Sequence, residues 1–439
     1  MSNYLNWRNK ISSDRKIVPL LFVADYRISP VDKIVKDDED PVKLCNYTDV
    51  YKNTYITSDI KFMDGSASRN EIKRFQIKDG DVLITKDSES WNDIGIPAIV
   101  KGSFENTTVC GYHLALMRPH KNLVIPTYLF YCFESKQHRL QLEVEATGVT
   151  RFGISKNSIA KYKIPLPTLT QQNKIVNYLD REVAKIDTLI DKKIQLITIL
   201  EEKKKAVINQ VVTKGLDPNV HLKDSGIEWL DKIPEHWKLE RLKFLTSKVG
   251  SGVTPKGGAE VYEDEGILFL RSQNIYNDGL KLEDQTYISE EIHDNMKSSQ
   301  VRKDDLLLNV TGGSIGRCCY FNLEIQANIN QHVCIIRVND KVFYKYLHFV
   351  LISFVGQFQI DLLQYGGGRE AVSFENIKNF WVPLPTFDIQ KDIVAFIEKE
   401  SYRLNSIINK VTEAKSLLQE KRTAIISAAI NGELNVSLS

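Results

Sequence analysis

The sequence has no CxxC pair, and its six cysteines, Cys45, Cys110, Cys132, Cys318, Cys319 and Cys334, are scattered along 439 residues. That spacing argues against a zinc site or a disulfide framework and for reduced core or edge residues. No apolar run of signal-peptide character opens the chain, and no stretch of about 18 apolar residues could cross a bilayer. A cytoplasmic protein without membrane contact is therefore expected. Phosphate-loop spacing is missing as well: "VGSGVTPKGG" from Val249 and "GGSIGR" from Gly312 are glycine-rich, but neither has the G-x-x-x-x-G-K-S/T pattern. A methyltransferase would carry a glycine-rich cofactor turn and an Asn/Asp-Pro-Pro-aromatic segment to hold a flipped base, and the sequence has neither. The eight histidines are dispersed, and no carboxylate-lysine or metal-ligand constellation stands out. His113 and His332 fall at similar places in a repeat, which reads as a shared strand context. The chain is expected to have no catalytic residues, no cofactor-binding residues and no metal of its own.

What is present describes a folded protein. Apolar residues make up 42% of the chain and charged residues 26%, enough for large cores in two to four domains. The net charge of +2 neither demands nor excludes nucleic acid, because recognition needs local basic surface more than a basic average.

The chain repeats itself. With an offset of 218, Pro165, Leu166, Pro167, Thr168 and Gln172 fall on Pro383, Leu384, Pro385, Thr386 and Gln390, and "LEEKKKAVINQVV" from Leu200 falls on "LQEKRTAIISAAI" from Leu418. Upstream, "YLFYCFES" at Tyr128 falls on "YLHFVLIS" at Tyr346, and "GVTRFGIS" at Gly148 on "GGGREAVS" at Gly366. "KDGDVLI" at Lys78 resembles "RKDDLLL" at Arg302, and "YHLALMR" at Tyr112 resembles "QHVCIIR" at Gln331. A repeat of this length marks two copies of one unit, roughly residues 1 to 215 and 233 to 439.

Short β-branched runs bounded by turn formers, at Asp81, Gly266, Asp305 and His332, predict strands. "TYLFYCFESKQHRLQLEV" from Thr127 and "FYKYLHFVLIS" from Phe343 each predict a helix. After each proline turn the pattern changes. Ile186, Ile190, Ile194, Ile197 and Leu200, like Leu404, Ile408, Val411, Ala414 and Leu418, recur every three or four residues and make a stripe that must meet another helix. The expected fold is mixed α and β (α+β), with two globular domains separated by a long antiparallel coiled coil in a pseudo-twofold internal repeat. The boundaries expected are 1–170 for the first domain, 171–215 for the first helix, 216–232 for a structured connector, 233–388 for the second domain and 389–439 for the second helix. The alternative is that each rod pairs with another protein or another copy.

The twin "PLPT...Q" turns, the twin helices with "LEEKKKAVINQVVTKGL" from Leu200, "DSGIEWLDKIPEHWKL" from Asp224 and "GSGVTPKGG" at Gly250 together resemble the specificity subunit of a type I restriction-modification enzyme. The resemblance covers nearly the whole chain. It implies two target-recognition domains, each reading half of a bipartite double-stranded DNA site, with the helices fixing the gap between the halves. It also implies two modification (methyltransferase) subunits that use S-adenosylmethionine to methylate adenine, and restriction/translocase subunits that use ATP and Mg. The chain itself would be a noncatalytic DNA-recognition subunit.

Base edges are read by Arg, Lys, Asn and Gln, and phosphate by small hydroxyls and loop amides. Loops after the predicted strands of the second domain offer Ser251, Thr254 and Lys256; Arg271, Gln273 and Asn274; Thr311, Ser314 and Arg317; and Arg369. The first domain offers Lys86, Ser88 and Trp91, with Thr150, Arg151 and Lys156. Near the amino terminus "FVADYRISPVDK" from Phe22 stands where a counterpart of "GSGVTPKGG" is expected. The basic clusters at Glu201 and at Lys421 and Arg422 read as solvated coiled-coil faces, with backbone contact to DNA as the alternative. Two rival functions remain open at this point. One is a helical scaffold organising partners without sequence-specific DNA binding, and the other is an autonomous nuclease.

Overall fold

The computed structural model describes residues 11–364 and 371–434. They form two compact units: one holds the described residues up to Ile194 together with those from Thr412 onward, and the other spans Gln195–Val411.

The first unit contains a five-stranded sheet in the order Ala24–Ile28, Leu114–Pro119, Val82–Thr85, Pro97–Val100 and Tyr55–Ile56. Beside it lies a three-stranded sheet in the order Met63–Ala67, Asp40–Cys45 and Thr108–Cys110. The second unit repeats this plan with Thr246–Ser251, Val333–Val338, Leu306–Asn309 and Cys318–Tyr320 in one sheet. Its three-stranded sheet runs Tyr287–Ile288, Ile267–Leu270 and Ala327–Ile329. In both three-stranded sheets the middle strand is antiparallel to one neighbour and parallel to the other.

The central strands explain why their sequences are apolar without interruption. Val82 and Ile84 enter one core while Leu83, facing the other way, enters a second. Leu306 and Leu308 likewise separate from Leu307. A strand covered on both faces has no solvent side to carry polar residues. Just before each of these strands an aspartate is buried, and it receives a two-pronged arginine from the next strand in the sheet. Arg118 Nε and Nη2 donate to Asp81 at 2.8 and 2.7 Å, and Arg337 does so to Asp305 at 2.7 Å twice.

The proline turns seat the long helices. Lys163–Leu166 pairs with Lys16–Pro19, and Trp381–Leu384 pairs with Lys238–Arg241. Gln172, fully buried, accepts the Ile125 N–H at 2.8 Å and donates to the Pro167 carbonyl at 3.0 Å. Gln390 does the same for Phe343 N–H at 2.7 Å and Pro385 O at 3.0 Å. The glutamine thus satisfies a helix-start donor and a turn acceptor that burial would otherwise leave unpaired.

The long helices span Leu169–Lys214, 46 residues, and Phe387–Asn431, 45 residues, on the order of 68 Å each. In the first unit the start of the first helix, through Ile175, Val176, Leu179 and Val183, shares a core with Ile426, Ala429 and Ile430 at the end of the second. The second unit mirrors this with Ile208, Val211 and Val212 against Ile393, Val394 and Ile397. Within each unit, one helix therefore arrives as the other departs, so they run antiparallel. The stripe is not continuous: Ile186, Leu200, Leu404 and Val411 are buried, but Ile194 is 48% exposed.

Two readings are corrected. Arg422 is not a solvated charge; its guanidinium donates to Glu134 at 2.5 Å and Asp187 at 2.8 Å, fastening the helix to the first unit. The helix expected from Thr127 is two, Pro126–Glu134 and Lys136–Glu143. Ser135 breaks it at ψ 110, as Ser353 at ψ 176 separates Tyr344–Ile352 from Phe354–Gln364. The Ser135 hydroxyl, 3.0 Å from that of Ser427, gains a partner at the break.

No single helix among the described residues is long and apolar enough to cross a membrane. All six cysteines are buried.

Candidate nucleic-acid interface

In the second unit four polar loops meet at one edge of the sheets. Ser251 ends its strand opposite Cys334, and Thr254, exposed on the loop beyond, donates to the Gln331 side chain. His332, next to Gln331, places Nδ1 2.7 Å from Thr311 Oγ1. Thr311 forms a bridge with Ala371, on the carboxyl side of the glycine-rich segment. Buried Asn309 then ties the Ser272 loop to the one carrying Thr311, donating to Ser314 Oγ at 3.0 Å and to Ser272 O at 2.8 Å. Arg317 lies with its guanidinium carbon 4.6 Å from the Tyr276 ring centroid, within cation–π range. Gln273 and Lys256 are exposed, and Arg271 is half-buried.

Asn274 takes a different part. It is 3% exposed, its Oδ1 accepts the Arg271 N–H and its Nδ2 donates to Lys281 O, both at 2.9 Å. It shapes the turn and presents nothing outward. Arg369 lies outside the described residues.

In the first unit Lys86 and His113 both meet Asp87, at 3.0 and 2.6 Å. Ser88 pairs with Phe152 across a short ladder, which brings the Lys86 loop against the segment carrying Thr150 and Arg151. Ser88 is buried; Trp91, Thr150, Arg151 and Lys156 are exposed. Lys156 extends over Tyr26, Nζ 5.8 Å from the ring centroid. Tyr47 and Tyr51 stack with centroids 5.5 Å apart. Burial pushes the Tyr47 hydroxyl above the ordinary phenol range, while a hydrogen bond to Ser88 and the Arg151 charge pull it back.

Tyr47, Tyr276 and Gln331 lie in none of the candidate contact sets, and His113 and His332 read from the sequence only as a shared strand context. The matched pairs Tyr112-His113 and Gln331-His332 were the available signal. The amino-terminal segment finds its counterpart in hydrogen bonding: Ser29 N–H bonds Leu114 O, and Gly252 N–H bonds Val333 O, each at 3.1 Å. The two positions are equivalent although their residues share nothing.

The arrangement is a polar surface, not a pocket. A cleft of about 1170 Å³ in the second unit is lined by Lys204, Tyr402, Asn405 and their neighbours and by none of these candidates. Burial there lowers His348 to about 4. Among the described residues no group of three or more His, Cys, Asp or Glu is placed to hold a metal ion. Loops rich in hydroxyl, amide and guanidinium groups on a broad edge suit an extended polyanion better than a small substrate.

The model for the type I restriction modification DNA specificity domain matches residues 26–198 and 234–414. The chain belongs to that family. This specificity subunit is 28% identical over 303 residues to the EcoBI specificity subunit of Escherichia coli, covering 67% of this chain and 63% of that one. It is 22% identical over 369 residues to the MjaVIII specificity subunit of Methanocaldococcus jannaschii, covering 83% and 81%. Its fold resembles a chain solved for the assembly and conformational transition of a type I R-M system, with TM-score 0.70, 16% identity and coverage of 97% and 99%. As a specificity subunit it is noncatalytic, recognises DNA and directs methyltransferase and restriction subunits.

Gly252 is a sharp test of the loop geometry in this specificity subunit. A Cβ there would lie 2.0 Å from Ile329 O and 2.3 Å from Asn330 O, both backbone atoms that cannot step aside. Gly252→Ala is expected to displace Thr254 and Lys256 and to weaken cognate DNA binding by about 1–3 kcal/mol, measured by titration of labelled duplex with the assembled complex. Unchanged affinity would remove this loop from the interface.

Proposed function

We propose that this chain reads a bipartite double-stranded DNA target through target-recognition domains at 1–170 and 233–388, with helices 171–215 and 389–439 as the spacer and 216–232 as the connector. In this reading the contacts in the first domain come from Lys86, Trp91, Thr150, Arg151 and Lys156, with buried Ser88 holding the loop through its pairing with Phe152. In the second they come from Ser251, Thr254, Lys256, Arg271, Gln273, Thr311, Ser314, Arg317 and Arg369. Two modification subunits supply S-adenosylmethionine-dependent adenine methylation, and restriction/translocase subunits supply ATP- and Mg-dependent cleavage, in the cytoplasm. The single observation that carries this reading is the duplication of one strand order, each copy presenting polar loops beside its central strands. Paired readers held by a fixed spacer match a target whose halves have a set separation.

Contacts to phosphate and to bases separate by salt and sequence. With Lys156→Ala, binding of the assembled complex is expected to weaken alike on all duplexes, and the slope of log affinity against log salt to fall by about 0.9. With Arg317→Ala, discrimination at one half-site is expected to fall by about 1–3 kcal/mol. Binding that ignores the duplex sequence in the unaltered complex would sink the proposal and favour a scaffold.

A further inference from the structure

Two histidines outside the contact set occupy equivalent turns in the two units, immediately before the strand that lies beside Val82–Thr85 or Leu306–Asn309 in the main sheet. In each, the side chain reaches back to the second residue beyond the end of the neighbouring strand. His113 Nδ1 is 2.6 Å from Asp87 Oδ2, and His332 Nδ1 is 2.7 Å from Thr311 Oγ1. The residues they hold are the ones that join the next polar loop: Asp87 pairs with Gly153, and Thr311 bridges Ala371.

The hydrogen-bond chemistry fixes the ring in the same sense twice. A carboxylate only accepts, so His113 Nδ1 carries the proton toward Asp87. The Gln331 amide nitrogen lies 3.0 Å from His332 Nε2. An amide nitrogen only donates, so Nε2 accepts and Nδ1 again carries the proton, toward Thr311 Oγ1. Thr311 then keeps its own hydroxyl proton for an outside acceptor. Through Gln331 the same histidine is linked to Thr254 on the third loop. His113 also holds a left-handed backbone at φ +71, a region that histidine enters more readily than most residues other than glycine; His332 does not share it.

We propose that His113 and His332 are equivalent positioning residues, each setting the loop geometry with which its own domain reads one half-site. This rests on the DNA-reading function proposed above and deepens it: specificity at each half-site depends on a residue that need not touch a base. Asp87 and Thr311 are the groups positioned.

The test uses the chain assembled with its modification partner on duplex panels in which one half-site at a time is randomised. His332→Ala is expected to reduce discrimination at the second domain's half-site by about tenfold or more and to raise the KM for methylation with little change in kcat. The other half-site is expected to be read as before. His332→Asn, whose amide can donate from nearly the place of Nδ1, is expected to recover most of the loss. His113→Asn, tolerated at positive φ, is expected to preserve the first half-site, and His113→Ala to relax it alone. Thermal unfolding of each variant identifies any that has lost its fold. Alanine variants that read both half-sites normally, or folded ones that weaken both equally, would overturn the inference. If the unaltered complex shows no split-sequence dependence, the DNA-reading proposal itself fails, and that outcome is visible before any variant is compared.

Discussion

Truncation after Lys421 is expected to destabilise the first unit, although every residue removed lies more than 200 positions in sequence beyond the part of that unit that ends at Ile194. Ile426 and Ile430 are 1% and 0% exposed in the same core as Val82, Tyr128 and Ile175. Emptying positions of that kind costs about 2–5 kcal/mol each, comparable with the whole stability of an ordinary domain. The truncation also removes Arg422 and leaves Glu134 and Asp187 without their shared cation. It deletes Asn431 too, whose carbonyl accepts the Ser12 N–H at 2.9 Å and whose side chain meets His138 Nε2 at 2.9 Å. Hydrogen exchange followed by mass spectrometry should show protection lost across strands Val82–Thr85 and Leu114–Pro119 and retained in Leu306–Asn309. Equal protection in both units would mean that the end of the second helix is dispensable to the first.

The second large effect is predicted at Asp305. Its carboxylate is 1% exposed and holds Arg337 through two hydrogen bonds, while also accepting the Arg302 N–H at 2.7 Å. Asp305→Ala leaves the guanidinium without its counter-charge and a turn donor without an acceptor. The expected loss is about 3–5 kcal/mol, as for other buried pairs broken on one side. Pairing Asp305→Ala with Arg337→Met should recover much of it, because the cost lies in the stranded charge more than in the absent bond. Urea unfolding of the single and double variants measures both. A double variant no more stable than the single would place the cost in the turn around Arg302 instead.

The repeat was legible because its strongest part is structural. The proline turn and its glutamine recur because Gln172 and Gln390 each have the same two backbone groups to satisfy, so few other residues serve. The apolar central strands were legible for a similar reason, since burial on both faces selects three successive apolar residues before Thr85 and Asn309 end the strands. The break at Ser135 was not legible, because a serine inside an apolar helical run costs little in propensity and its partner, Ser427, is far away in sequence. Ile194 shows the limit of periodicity: the spacing assigns it to the stripe, but nothing in the spacing says that the partner helix covers that point.

The loops were harder. Composition selected Asn274 as a reader because asparagine follows a strand there, but the same amide chemistry makes it suitable for closing a turn on itself. Sequence alone does not distinguish an amide turned outward from one turned inward. The equivalence of Ser29 and Gly252 was hidden for the opposite reason: backbone hydrogen bonds define the position, and they leave the side chain free to differ.

The most direct measurement is a map of adenine methylation across a genome with this chain intact, absent, or carrying Thr311→Ala and Arg317→Ala together. The account predicts a bipartite motif that requires the chain and, in the double variant, changes in one half while keeping the other half and the spacing. A methylation map indifferent to the chain, or a variant that alters both halves together, would contradict it.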